Sequence, residues 1–95
     1  MIIIVKDFTG NFAENKDIAR TIRDGQIKPF LKKQGQGRII IDFQDIDSST
    51  QSFIHALISG FFQSYKEDAL DMFEFKNCNK AVQSLITTVI NYSLE

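Results

Sequence analysis

At 95 residues, 43% hydrophobic and 24% charged, the chain has the makings of one globular domain with one core, too small for a two-domain enzyme with an interdomain cleft. A formal net charge of −1 gives no electrostatic ground for a nucleic-acid partner. The single Cys78 and single His55 rule out an intrachain disulfide and a protein-only tetrahedral zinc site, so a reducing compartment, by default the cytoplasm, is expected, with no metal and no cofactor.

Ile2 to Val5 is apolar at every position and is closed at once by Lys6 and Asp7, which reads as a first strand and falls far short of a signal-peptide core or a membrane span. No membrane partner is expected. Asp7 to Asn11 reads as a loop from its Gly and Asn content. Asn15 is the predicted N-cap of a first helix, with Asp17 in its first turn and Ile18, Ile22, Ile27, Phe30 and Leu31 facing inward. Gly25 and Pro29 predict a kink or break near Gln26 to Lys28, because proline removes the backbone donor that would reach back to residue 25. Lys32 to Gly37 then supplies cations at a negative helix end followed by two glycines, a helix stop rather than a phosphate loop.

Arg38 to Ile41 is a second run of β-branched residues without polar alternation, as in a strand covered on both faces, with Ile40 expected in the core. The acidic and hydroxylic stretch Asp45 to Thr50 follows, and a second helix is predicted to start near Ser49 or Thr50. On a helical wheel Phe53, Ile54, Leu57, Ile58, Phe61 and Tyr65 fall on the inward half. Ser52, His55, Ser59, Gln63 and Lys66 fall on the outward half, with Phe62 at the border. Leu70 to Phe75 reads as a third strand, and Asn77 or Asn79 caps a last helix with a stripe of Ala81, Val82, Leu85, Ile86, Val89 and Ile90.

The order strand, helix, strand, helix, strand, helix defines a single small α/β domain, with a mainly parallel sheet of three to four strands and three helices. If the strands are neighbours in chain order, right-handed crossovers place all helices on one face. An apolar face involving Ile3 or Val5 is then left bare, as in a homodimer or a partner-binding sheet. A central first strand would cover both faces instead.

The turn after the second strand is the candidate site, since it joins the carboxyl edge of the sheet to a positive helix terminus, a place suited to a bound or covalent phosphate. Asp42, Asp45 and Asp47 resemble a small acidic site, but an aspartyl-phosphatase pattern needs its second Asp two residues after the first, and position 44 is Gln. His55, with no second His or Cys nearby, supports no triad, and Cys78 near a helix start is either a thiol of lowered pKa or inert packing.

The stretch Ile39-Ile40-Ile41-Asp42-Phe43-Gln44-Asp45-Ile46, a polar spacer, and Ser52-Phe53-Ile54-His55-Ala56-Leu57 resembles the STAS-like domain family of unknown function, related to anti-sigma-factor antagonist (STAS) domains. Asn15 to Arg20 and Phe73 to Asn77 carry the likeness over most of the chain. In STAS domains the turn carries Asp-Ser-Ser-Gly, whose second Ser is phosphorylated by a kinase of the histidine-kinase ATPase fold. Matching letters puts Ser49 on the acceptor, whereas matching the apolar helix face puts Gln51 there and Ser52 on the glycine. The family carries an acidic residue where His55 stands.

The resemblance implies a non-enzymatic regulatory module, with Ser49, Thr50 and Ser52 as phosphoacceptor candidates. Asp45, Asp47, Ser48, His55, Ser59 and Phe62 are candidate contacts to an ATPase- or kinase-type partner. The alternative is a small phosphate- or nucleotide-binding domain with weak catalysis at Asp42, Asp47 and Ser49.

Overall fold

The computed structural model describes residues 1–33 and 37–95. Three short strands, β1 (Ile2–Ile4), β3 (Ile39–Asp42) and β5 (Phe73–Lys76), form a parallel sheet in the order β1-β3-β5. Ile2 pairs with Ile40, and Ile40 with Glu74. The chain-order arrangement is therefore the one adopted. Helix α2 (Lys16–Ile22) lies in the first crossover, α4 (Gln51–Tyr65) in the second, and α6 (Lys80–Ser93) follows the last strand. Helix α4 packs against both α2 and α6, so one helix layer in the order α2-α4-α6 covers one face of the sheet.

Side-chain parity decides what is core. Ile3, Val5, Ile39, Ile41, Phe43 and Phe73 point at the helix layer and are buried. Their neighbours point the other way: Ile2 is 66% exposed, Ile4 is 42% exposed, and Ile40 is only half-buried. The bare face exists, but Ile2 and Ile4 carry it. The expectation that named Ile3 and Val5 for it, and Ile40 for the core, was one residue out of phase, and in a strand one residue changes face.

Asn15 caps α2, its side chain accepting from Asp17 N at 2.9 Å. The predicted kink is a π-helical turn over Arg23–Ile27, with Lys28 N donating to Arg23 O, leading into α3 (Lys28–Lys32). The wider turn absorbs Pro29, which has no donor to offer, and lets Ile22 and Ile27, five positions apart, both be fully buried. The Gln34 to Gln36 part of the predicted stop lies outside the described residues.

Three further expectations are corrected. Asp7 to Asn11 is not all loop: Lys6–Thr9 forms a short helix, α1, with Phe8 N and Thr9 N donating to Val5 O, ended by Gly10 at φ 69°. The third strand starts at Phe73, because Asp68–Met72 makes a helical turn, α5, that buries Ala69 and leaves Leu70 outside. In α4, Phe62 is fully buried, with its ring centroid 5.7 Å from that of Phe73, and Tyr65 instead is exposed near the helix end. Phe53, Ile54, Leu57, Ile58 and Phe61 are buried as expected, each worth roughly 1.5–3 kcal/mol of transfer free energy. Asn79 caps α6, accepting from Val82 N at 2.9 Å; Val82, Ile86 and Val89 face inward, Leu85 and Ile90 are half-buried, and Ala81 is exposed.

Candidate functional site

The Asp42–Thr50 turn leaves the carboxyl edge of the sheet and is tied down along its length. Asp42 Oδ1 accepts from Gln44 N at 2.8 Å and Asn77 Nδ2 at 3.0 Å, so this carboxylate shapes the turn. Asp45 sits at φ 61°, a left-handed backbone that Asp tolerates better than most residues, and its Oδ2 meets Lys6 Nζ at 3.2 Å in an exposed ion pair. Ile46 is buried beneath, and Asn79 Nδ2 donates to Ile46 O at 3.2 Å and Asp47 O at 3.1 Å, so the residue that caps α6 also holds the turn. Asp47 itself is exposed, its amide donating to Asn11 O at 2.8 Å.

Beyond Asp47 the chain makes a two-residue strand, β4 (Ser48–Ser49), parallel to β2 (Phe12–Ala13). The hydroxyls of this stretch then divide by task. Ser48 Oγ donates to Glu14 Oε2 at 3.4 Å. Ser49, half-buried, donates through Oγ to Ala13 O at 2.7 Å and stitches β4 to β2. Thr50 is the N-cap of α4, its Oγ1 accepting from Phe53 N at 3.1 Å. Ser52 is exposed on the first turn of the helix.

Ser52, His55 and Ser59 come together with cations that the sequence reading passed over. They line one side of a groove of about 690 Å³ faced by Lys16, Arg20 and Arg23. The signal was present in the sequence as a basic stripe at helical spacing, but the predicted break at Gln26 hid its continuation. His55 is exposed and meets Tyr92 edge to face, with ring centroids 6.2 Å apart. Ser59, placed outward from the wheel, is only 6% exposed at the groove floor, and Phe62 lies inside the core. Phe62 is closed off by core packing, whereas Ser59 opens only onto the groove, because α2 and α6 flank α4 and narrow its free face.

Charge pairing preorganises the basic wall. Arg23 Nε and Nη2 bind the two oxygens of Asp24 at 2.8 and 3.1 Å, and its Nη1 reaches Ala56 O at 3.2 Å. The Arg23 hydrogen bond, with Lys28 nearby, holds the Asp24 carboxyl at about 2. Cys78 departs from one of the two expectations: burial, then the Asp42 charge, pushes its thiol up to about 11, so it is not a low-pKa nucleophile. Among the described residues no group of three or more His, Cys, Asp or Glu is placed to hold a metal ion. No helix among them is long and apolar enough to cross a membrane.

A parallel sheet in chain order, one helix layer and a capped turn at the carboxyl edge define the α/β class with STAS-like architecture. The chain belongs to the family described as STAS-like domain of unknown function (DUF4325), whose family model matches residues 19–83, from α2 into the start of α6. Neither a curated protein nor a solved structure matches it.

Proposed function

We propose that this domain is a non-enzymatic interaction module that presents the Asp45–Ser52 turn and the exposed start of α4 to a protein regulator of the ATPase or kinase type. The observation that carries this reading is the division of hydroxyls at the turn. Ser49 and Thr50 are spent on holding β4 and capping α4, while Ser52, His55, Asp45 and Asp47 are offered to solvent on a rigid frame. Two of the three groups of the catalytic alternative are engaged structurally instead: Asp42 is bonded to Gln44 and Asn77, and Ser49 to Ala13. Within the phosphoswitch form of the reading, Ser52 becomes the favoured acceptor of the three candidates, since among the described residues a phosphate there displaces no bond, and it would share a groove with Lys16 and Arg20 at the positive end of α4.

The test is affinity capture from the source cells with wild type, Ser52→Asp and His55→Ala, together with mass spectrometry of the turn peptide. A stoichiometric ATPase- or kinase-type partner whose binding changes with Ser52→Asp supports the module. No partner, or one retained equally by both variants with an unmodified turn, refutes it. The bare sheet face supports a second contact, a homodimer or partner resting on Ile2 and Ile4, because an apolar surface of this kind usually marks an interface.

A further inference from the structure

Two hollows lie end to end on the outer side of α4, one of about 690 Å³ beside Ser52 and His55, the other of about 450 Å³ beside Ser64 and Tyr65. They share Arg23 and Gly60 and so form one trough. Its wall is the continuous run of α2, the π turn and α3, which contributes Lys16, Arg20, Arg23, Lys28 and Lys32. Among the described residues no carboxylate lines either hollow. From outside, Asp17 pairs with Arg20, and Asp24 with both Arg23 and Lys28, so the five cations of the track face two carboxylates and keep a surplus of positive charge on a chain whose net charge is −1.

The floor is built to stay open. Gly60 sits inside a 15-residue helix, where glycine costs about 1 kcal/mol relative to alanine, yet a Cβ there would meet nothing within 4 Å. Core packing does not require that glycine, and its missing side chain leaves the floor unfilled where the two hollows meet. Ser59 beside it is 6% exposed. Ser93, the other buried serine, returns its hydroxyl to Val89 O at 2.7 Å, whereas Ser59 makes no such bond among the described residues and faces the groove.

We infer that this trough is the docking track for an acidic polypeptide segment of the partner, an inference that rests on the interaction-module reading and names the partner's contact chemistry. From Ser52 to Ser64 the track runs roughly 18 Å at 1.5 Å per helical residue, the length of five or six extended residues or a three-turn helix. A small anion would occupy a fraction of it, and neither hollow is enclosed enough to bury most of a small ligand. Arg20 and the lysine ammonium groups spaced along one wall suit successive carboxylates or phosphates of a chain, while Arg23, already held by Asp24 and Ala56, adds its charge at the junction.

The probe is a fluorescein-labelled decaglutamate peptide, titrated by anisotropy at low and physiological salt against wild type, Arg20→Glu/Lys32→Glu and Gly60→Leu. Gly60→Leu keeps every charge and fills the point where the hollows meet. Saturable binding to wild type, weakened at least tenfold by each variant, is expected. No binding overturns the inference. Loss in the charge-reversal variant with full retention in Gly60→Leu also overturns it, because attraction is then diffuse and the trough is not the seat. Displacement by pyrophosphate or ATP at concentrations matching the peptide's would make this a small-anion site instead. Once a partner is captured, its equal retention by Arg20→Glu/Lys32→Glu and by Gly60→Leu refutes the track while leaving the module standing.

Discussion

Ser49 and Ser52 lie three residues apart in the turn that carries the phosphoacceptor candidates, and the structure expects opposite responses to a negative charge at the two sites. Ser49 Oγ donates to Ala13 O at 2.7 Å in a half-buried position. Ser49→Ala removes one such bond, about 1 kcal/mol, without orphaning the carbonyl, which also accepts from Thr50 N at 3.3 Å. Ser49→Asp removes the same donor and sets a carboxylate against a carbonyl oxygen. With a desolvation cost of about 1–3 kcal/mol added, the loss is expected near 2–4 kcal/mol. Ser52→Asp adds a charge to the exposed first turn of a 15-residue helix and should gain about 0.3–1 kcal/mol from the helix dipole. Urea denaturation followed by circular dichroism at 222 nm, with unchanged m-values, measures all three on one scale. Ser49→Asp as stable as wild type would refute the assignment of Ser49 to a structural bond and return it as the better acceptor.

Other substitutions probe the rest of the frame. Gly60→Ala should stabilise by about 1 kcal/mol in the same assay, since the new methyl meets open space in helical backbone. Ile3→Glu should unfold or severely destabilise the domain, whereas Ile4→Glu should fold and remain soluble; light scattering at micromolar concentration then shows whether it lowers the wild-type mass. Cys78 should react slowly with iodoacetamide at pH 8 and quickly in urea, because its thiol is pushed up to about 11. The folded chain retains that proton where the unfolded one has lost it, so this residue's contribution to stability is present below the unfolded thiol's ordinary value near 8.5–9. It falls as pH rises from there toward 11, which alkaline unfolding of Cys78→Ala against wild type would reveal.

Much of the fold was legible in the sequence because local chemistry agreed with the global arrangement. Asn15, Thr50 and Asn79 are caps by residue type, and all three accept from the amide two or three residues on. The apolar stripe of α4 found the core except at Tyr65, and at Phe62, where the α4 face turned toward the sheet proved wider than the wheel suggested. Strand parity was the harder part. A run of isoleucines has no alternation from which to choose a face, so Ile3 and Ile4 could be separated only by the tertiary packing. The far half of the basic trough was hidden for a related reason: a proline that ordinarily ends a helix was absorbed by a π turn, which kept Lys28 and Lys32 on the same wall as Lys16.

The chain-order parallel sheet also bears on how this domain reaches its native state. Every rung joins positions more than thirty residues apart, Ile2 with Ile40 and Ile39 with Phe73, so no strand finds its neighbour until a whole crossover has been gathered in. Loop closure on that scale precedes any reward from the sheet, which places refolding toward the slow end for a chain of this size. The element best placed to bring the distant segments together is α4, the one helix that touches both others in its layer. Truncation at Leu57 should therefore slow folding as well as lower stability, while truncation at Val89 on the terminal helix should chiefly hasten unfolding. Stopped-flow measurement of both variants separates the two cases, and equal effects on the folding arm would remove α4 from the role of organiser.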